Sequence, residues 1–286
     1  MNYFLSFVIL AEIFAIAALS TNLLIGVIGI FSVAQAAIMG VGAYATALLM
    51  MAGVPFPLAV LAAIVICAAI NVLSSLPSLR LAGDYFIITS FGTQLVATAV
   101  FINWQNLTGG ATGLVGIPIA EIGGYAFASS PQFAVLATGC LIVIALSFWL
   151  LMRSPYGKLL HAIRLNEVAA VAAGRKVLRA KVGVAAVSGA YAGVAGALYA
   201  TYISFIDPVS FDIHVSVLVL TMLVVGGART LAGSIIGPFL LQAIPQLLAM
   251  IDIPSTIVGP VRQLVYGVIL IAFMLWRPQG IAGRKL

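Results

Sequence analysis

The sequence predicts an all-α protein whose helices cross a lipid bilayer. Hydrophobic residues make up 63% of the 286 residues and charged residues only 7%, whereas a soluble globular domain carries about 25% charged residues. The apolar residues occur in long runs, without the two-residue alternation of a β-barrel strand. Because a core of this size cannot hide so much apolar surface from water, we expect lipid to surround most of the chain.

Nine apolar runs are long enough to be membrane helices, since about 20 helical residues span the hydrocarbon core. A helix also satisfies its own backbone hydrogen bonds, which lipid cannot do. The first run has no Lys or Arg before it, so we expect a retained helix rather than a cleaved signal peptide. The prediction is about nine spans, within a range of eight to ten, at residues 3–25, 31–52, 57–76, 84–102, 131–152, 182–203, 211–228, 231–250 and 260–276.

Turn-forming residues separate these runs in order along the chain. Residues 53–57, Gly-Val-Pro-Phe-Pro, follow the second run, and Asp84 before the fourth run suits a helix N-cap. Asp207-Pro208 separates the sixth run from the seventh. The seventh and eighth runs are short and interrupted by glycines around Arg229, which leaves open that one of them is a broken or re-entrant helix.

The cations predict the orientation of the chain, because cytoplasmic loops carry an excess of Lys and Arg. With residues 153–181 placed in the cytoplasm, twelve of the thirteen cations fall inside and only Arg262 falls outside. The N-terminus is then outside and the C-terminus cytoplasmic. Cations that join the central loop on the inner side are Arg80, Arg229, Arg277, Arg284 and Lys285, and acids on the outer side are Glu121, Asp207, Asp212 and Asp252.

Residues 1–286 are predicted to form a single transmembrane domain, because the loops are too short to fold as an enzyme domain. The longest are an outer loop at 103–130 and an inner loop at 153–181. No Walker A sequence occurs, since Gly157-Lys158 lacks the glycine before it and the Ser or Thr after it. We therefore expect no nucleotide, other cofactor or metal on this chain, and no nucleic-acid partner, because the cations occupy breaks between apolar runs.

The inner loop contains a second kind of helix. Residues 165–173 favour helix formation, and Gly174 is placed to end the helix as its C′ residue. Arg164 and Glu167 are one turn apart in sequence. Small apolar residues repeat at helical spacing and form one face, namely Val168, Val171 and Ala172. The loop cations Arg175, Lys176, Arg179 and Lys181 are expected near anionic lipid headgroups.

This segment resembles the EAA loop of ABC importer permeases, in which Glu, two Ala and a Gly mark the coupling helix. The matching residues are Glu167, Ala169, Ala170 and Gly174, with Arg164 just before them. Val168 stands directly before the Ala pair, so the Glu lies one place upstream of its usual position. From the loop alone, an amphipathic connector lying on the bilayer remains an alternative to a coupling helix.

Five further segments extend the resemblance over nearly the whole chain and in the same order. They resemble the LivM-type permeases of branched-chain amino acid ABC importers, at residues 31–49, 83–92, 103–118, 188–211 and 226–248. The resemblance implies a type II ABC importer fold in the bacterial inner membrane. It also implies a LivH-like second permease, two LivG- and LivF-like ATPases that use ATP and Mg²⁺, and a periplasmic substrate-binding protein.

Polar residues in the apolar runs suggest where the substrate passes, although interhelical hydrogen bonds explain them equally well. The candidates for the path are Gln35, Ser90, Thr93 and Gln94. Glu12 is the one clear ionisable group within a run, where it is either functional or reaches the headgroups. Candidates for docking the binding protein are Asn103, Trp104, Thr108, Gly109 and Gly110.

The expected function is therefore a non-catalytic transport subunit for branched-chain amino acids. Relatives that import urea, amides or aromatic acids remain an alternative. A stand-alone secondary transporter is less well supported, because it requires paired intramembrane ionisable groups and Glu12 is the one clear case within a run. A membrane enzyme lacks its polar catalytic cluster.

Overall fold

The computed structural model describes residues 2–76, 85–248, 255–277 and 279–283. Several residues used in the sequence analysis lie outside these ranges, namely Arg80, Asp84, Asp252, Arg284 and Lys285, as does the side chain of Arg262. The chain is helical almost throughout, which confirms the all-α prediction.

Twelve α-helices occur in the described part of the chain. They are α1 (Asn2–Thr21), α2 (Gln35–Met51), α3 (Phe56–Ser75), α4 (Tyr85–Asn103), α5 (Gln105–Thr108), α6 (Ser130–Arg153), α7 (Pro155–Leu165), α8 (Glu167–Ala172), α9 (Val177–Ile203), α10 (Ile213–Gly226), α11 (Leu231–Leu248) and α12 (Ser255–Trp276).

Shorter elements complete the fold. α1 continues into a π-helical segment, Asn22–Ile28, and 3₁₀ turns form at Gly110–Thr112 and Pro208–Phe211. Four short strands are present in the described residues, namely β1 (Leu114–Val115), β2 (Glu121–Ile122), β3 (Tyr125–Ala126) and β4 (Phe205–Ile206). Two antiparallel ladders of two residues each pair β1 with β4 and β2 with β3.

The number of spans depends on how the broken and the short helices are counted. Within the described ranges, five helices are long and apolar enough to cross a membrane, or six if α10 and α11 count as one broken span. These two helices meet at 119°, which turns the chain back towards the side from which it came. Two shorter apolar helices, in α2 and α12, bring the count to the low end of the predicted range. The glycines and Arg229 at the bend were the correct signal of a broken helix.

α1 and α9 form the centre of the bundle. About 67% of the residues in their apolar stretches are buried, compared with 22–28% in α3, α4 and α6. Glycines let α9 approach its neighbours: a Cβ at Gly196 would collide with the backbone of α2, and one at Gly189 with the backbone of α3. Small residues at such crossings give the close backbone contact on which helix association in lipid depends.

The structure groups the loops at two ends of the bundle. At one end, the Arg164 side chain reaches Ile25 and the backbone of Arg229 bonds to Asn22, with residues 279–283 beside the α10–α11 bend. At the other end, β1 in the long loop pairs with β4. This grouping agrees with the predicted inner and outer sets of loops; which end faces the cytoplasm stays a prediction.

Candidate functional site

The inner loop forms an elbow of two helices, α7 and α8. The Ser154 hydroxyl accepts a hydrogen bond from Gly157 N (3.2 Å) and caps α7, with Pro155 at the first helical position. α7 packs its apolar face against the bundle, where Leu160 and Ile163 are buried. Its position is therefore fixed by burial of one face, as expected of an amphipathic helix.

The elbow bends at Asn166, which the sequence analysis did not identify as a break. Asn166 is extended (φ −158°, ψ 103°) and its side chain accepts a hydrogen bond from Ala169 N at 2.9 Å. Asn is a favoured N-cap because its side chain satisfies an otherwise unpaired amide of the first turn. The predicted continuous helix from 165 is therefore wrong, and Arg164 and Glu167 lie on different helices.

Arg164 points into the bundle rather than towards a partner. Its Nη1 donates to the carbonyl oxygen of Ile25 at 3.1 Å and also to that of Gly26. Burial, and then the nearby charge of Arg229, lower the pKa of Arg164 below its ordinary value. A guanidinium stays charged even so, and it is a suitable donor for carbonyl groups left unpaired near a helix C-terminus.

Glu167 and Lys181 join the elbow to α9 by an ion pair of 2.6 Å. The lysine side chain is 8% exposed and the glutamate side chain 51% exposed. The expectation that Lys181 faces lipid headgroups is therefore wrong, because its ammonium group is buried against Glu167. A buried ammonium requires a partner, and Glu167 supplies it.

α8 presents an uncovered apolar surface. Leu165, Val168 and Val171 are 70%, 78% and 57% exposed, whereas Ala170 is buried and faces α7. A groove of about 740 Å³ lies between the two helices. Its lining is mostly apolar, with cationic side chains, and includes Tyr156, Lys158, Leu159, Ala162, Leu165, Asn166, Ala169, Ala170, Ala173 and Arg175.

Gly174 ends α8 as the sequence predicts. Its φ is +74°, in the left-handed region that disfavours residues with a Cβ. Gly174 N bonds to Val171 O (2.9 Å) and Arg175 N to Ala170 O (3.1 Å). These two bonds form a Schellman cap, which satisfies carbonyl groups that the helix leaves free.

The predicted path residues take part mainly in interhelical hydrogen bonds. Gln35 is buried where α1, α2 and α9 meet, and its Nε2 donates to the hydroxyls of Ser20 and Ser188. Its Oε1 has no partner among the described residues.

Gln94 is fully buried and caps the N-terminus of α2 from a different helix. Its Oε1 accepts from Ala37 N and Ser216 Oγ, both at 3.1 Å, and its Nε2 donates to Phe211 O at 2.8 Å. Residue 34, at the N-cap position of α2, is an alanine with no side chain to perform this role. Gln94 therefore satisfies a first-turn amide that would otherwise face apolar surroundings.

The other two path candidates differ from each other. Ser90 is buried and accepts a bond from Val33 N at 3.1 Å, so it also links α4 to the chain before α2. Thr93 is half-buried and donates to the Thr89 carbonyl of its own helix at 2.9 Å. Ser90 therefore takes part in packing, whereas Thr93 lies on a more open surface.

Glu12 does not reach the headgroups. It is 4% exposed in α1 and its Oε1 accepts a hydrogen bond from the Thr138 hydroxyl of α6 at 2.6 Å. Its Oε2 has no partner in the described ranges. Glu12 therefore has a structural contact, but the contact joins α1 to α6 inside the bundle.

The docking candidates are divided by burial. Asn103 and Trp104 are exposed, Gly109 is partly exposed, and Thr108 and Gly110 are buried. The Thr108 hydroxyl donates to the carbonyl oxygens of Phe101 and Trp104, both at 2.8 Å. Thr108 therefore shapes the turn, and only the exposed members of the motif offer a surface.

Two buried asparagines were missed by the sequence analysis. Asn22 bonds to the α10–α11 bend, and Asn71 donates to Ala185 O at 2.7 Å. Each is a lone amide in an apolar run, which was the available signal. No group of three or more His, Cys, Asp or Glu residues that could hold a metal is present in the described residues.

Residues 3–274 match the family described as the permease component of the branched-chain amino acid transport system. The chain belongs to this family. The permease is 29% identical to LivM of Salmonella typhimurium over 94% of its own length and 67% of the relative's. It is 28% identical to LivM of Escherichia coli over 95% and 68%. An L-arabinose ABC transporter permease, AraH of Azospirillum brasilense, is 26% identical over 44% of the permease and 42% of the relative. No solved structure matches it.

Proposed function

We propose that the permease is one of two membrane subunits of an ABC importer for branched-chain amino acids. The substrate arrives on a periplasmic binding protein, and two cytoplasmic ATPases drive its passage. The second membrane subunit is a LivH-like permease. The proposal rests on family membership together with one observation, the uncovered apolar surface of α8 beside the groove of the elbow.

The chemistry of the elbow fits a protein partner. Three large apolar side chains stand exposed on or beside a six-residue helix, and Lys158 and Arg175 line the adjoining groove. Apolar residues exposed together mark an interaction surface. The partner that complements this surface inserts an apolar side chain and provides acidic groups opposite the two cations.

The remaining assignments belong to the same proposal. The coupling set is Arg164, Glu167, Ala169, Ala170 and Gly174, of which Ala169 faces outwards and the others shape the elbow. The exposed Asn103 and Trp104 are the residues we assign to binding-protein docking. ATP and Mg²⁺ belong to the partner ATPases, and this chain binds neither. The elbow faces the cytoplasm of a bacterial inner membrane, with the N-terminus outside.

A pull-down and a transport assay test the proposal. The permease is co-expressed with a LivH-like permease, two ATPases and a binding protein from the same organism, then reconstituted in proteoliposomes. We expect all membrane and ATPase subunits to co-purify, and leucine uptake to require both ATP and the binding protein. Uptake driven by an ion gradient without ATP would support the secondary-transporter alternative instead.

A matched pair of variants tests the elbow. Val168→Asp places a charge in the apolar surface and should abolish co-purification of the ATPases. Val209→Asp makes the same change at a valine 70% exposed at the other end of the bundle, and should leave ATPase binding intact. Equal ATPase recovery from both variants would contradict the assignment. Ligand screening of the binding protein by thermal shift then decides between branched-chain amino acids and urea, amides or aromatic acids.

A further inference from the structure

The elbow is joined to the end of the central helix α1. That helix continues into a π-helical segment, Asn22–Ile28, which ends at Gly29 in the left-handed conformation (φ +78°). Arg164 bonds to the carbonyl oxygens of Ile25 and Gly26 within this segment. π-helical turns are rare and occur frequently at functional sites.

Asn22 continues this connection to the α10–α11 bend. Its Oδ1 accepts a hydrogen bond from Arg229 N at 2.8 Å, and its Nδ2 donates to Thr230 O at 3.2 Å and Ser234 Oγ at 2.8 Å. All three contacts lie more than 200 residues away in sequence. Asn22 is fully buried, so it is neither a headgroup contact nor a partner contact.

Close packing leaves little free space at the junction. A Cβ at Gly26 would collide with the Asn22 side chain and approach Arg229 N to 2.8 Å. The segment after α12, at residues 279–283, closes the other side of the bend. Ile281 N bonds to Val225 O and Ala282 N to Gly226 O, both at 2.9 Å. Arg229 itself has φ +77°, so its backbone is held in a conformation that few residues adopt.

We propose that Arg164 and Asn22 are positioning residues that transmit movement of the elbow, through the π-helical end of α1, to the α10–α11 bend. This inference rests on the proposed function for its driving force. Packed segments joined by hydrogen bonds carry energetic coupling between distant sites when the element between them has two arrangements. The bend is the element that changes, because it is a break of 119° between α10 and α11 and its backbone is bonded to Asn22 at the end of α1.

The first test measures coupling in the reconstituted complex. In complexes first shown by size-exclusion chromatography to contain both ATPases, Asn22→Ala and Arg164→Met should raise the ATP hydrolysed per leucine transported about tenfold, a typical allosteric coupling. Arg164→Met retains an apolar stem against Gly29 but loses the guanidinium. An unchanged ratio in Arg164→Met would overturn the proposal, and this partly exposed position decides the outcome if Asn22→Ala does not assemble.

Two controls match these variants. Asn71→Ala removes an equally buried amide that bonds α3 to α9, away from the junction. Arg179→Met removes an exposed cation from the start of α9. Both should keep the wild-type ratio, and a comparable rise in either would assign the effect to general loosening of the bundle.

Hydrogen exchange tests the connection without using transport. In the purified permease, Arg164→Met should increase amide exchange at residues 229–234 as well as at the end of α1. The reason is that the bonds from Asn22 to the bend depend on the bonds that Arg164 makes to the π-helical segment. Increased exchange near residue 164 alone would refute the transmission route. This readout separates the two proposals: absence of ATP-driven uptake in the wild type contradicts the proposed function, whereas the exchange result judges the junction by itself.

Discussion

Replacing Gln94 with Leu should destabilise the bundle, because Gln94 caps a helix in the membrane interior. Leu has a similar volume, so the packing cost is small. The variant leaves Ala37 N–H and Phe211 C=O without their partner. An unsatisfied buried polar group costs about 1–3 kcal/mol, whereas interhelical bonds in membranes average about 0.6 kcal/mol. Two groups lose their partner, and the low membrane average places each cost in the lower part of that range, at about 1–2 kcal/mol. We therefore expect a loss of about 2–4 kcal/mol in the free energy of unfolding.

Thermal unfolding in detergent measures this loss, with a thiol-reactive dye reporting exposure of the buried Cys67. Thr93→Val is the matched control, because the neighbouring hydroxyl bonds only to its own helix. We expect its free energy of unfolding to change by less than about 0.5 kcal/mol. If both variants were equally stable while only Gln94→Leu impaired transport, the capping role would be refuted and Gln94 would line the substrate path.

Three other predictions concern an ion pair, a close helix crossing and the orientation of the chain. Glu167→Ala alone should destabilise the permease more than Glu167→Ala combined with Lys181→Met, because the single variant leaves a buried ammonium unpaired. Chemical denaturation of both variants compares their free energies of unfolding. Gly196→Leu should prevent accumulation of folded protein, whereas Gly92→Leu, where a Cβ meets open space, should not; fluorescence size-exclusion chromatography compares them. A cysteine in place of Glu121 should react with an impermeant maleimide in intact cells, and labelling only after permeabilisation would reverse the orientation.

Local sequence was sufficient for features that depend on neighbouring residues. The length of the apolar runs predicted the helices, since about 20 residues are needed wherever the helix lies in the fold. Gly174 predicted the end of α8, because a left-handed residue is required there whatever packs against it. Asn166 carried an equally local signal, an Asn before a helix-favouring stretch, but the helix propensity of the residues on both sides concealed the break.

Contacts between distant residues were decided only by the tertiary structure. The sequence left Gln94 open between the substrate path and an interhelical bond, left Glu12 open between a function and the headgroups, and grouped Arg164 with the coupling residues. In the structure each side chain bonds to a polar group on another element of the bundle. The physical reason is that lipid offers no hydrogen bonds, so a polar group in the bundle must find a partner on another helix. Sequence therefore determined that this chain is a helical membrane permease with a short helix in its inner loop. The tertiary structure determined which polar residues hold the bundle together and which remain free for a partner.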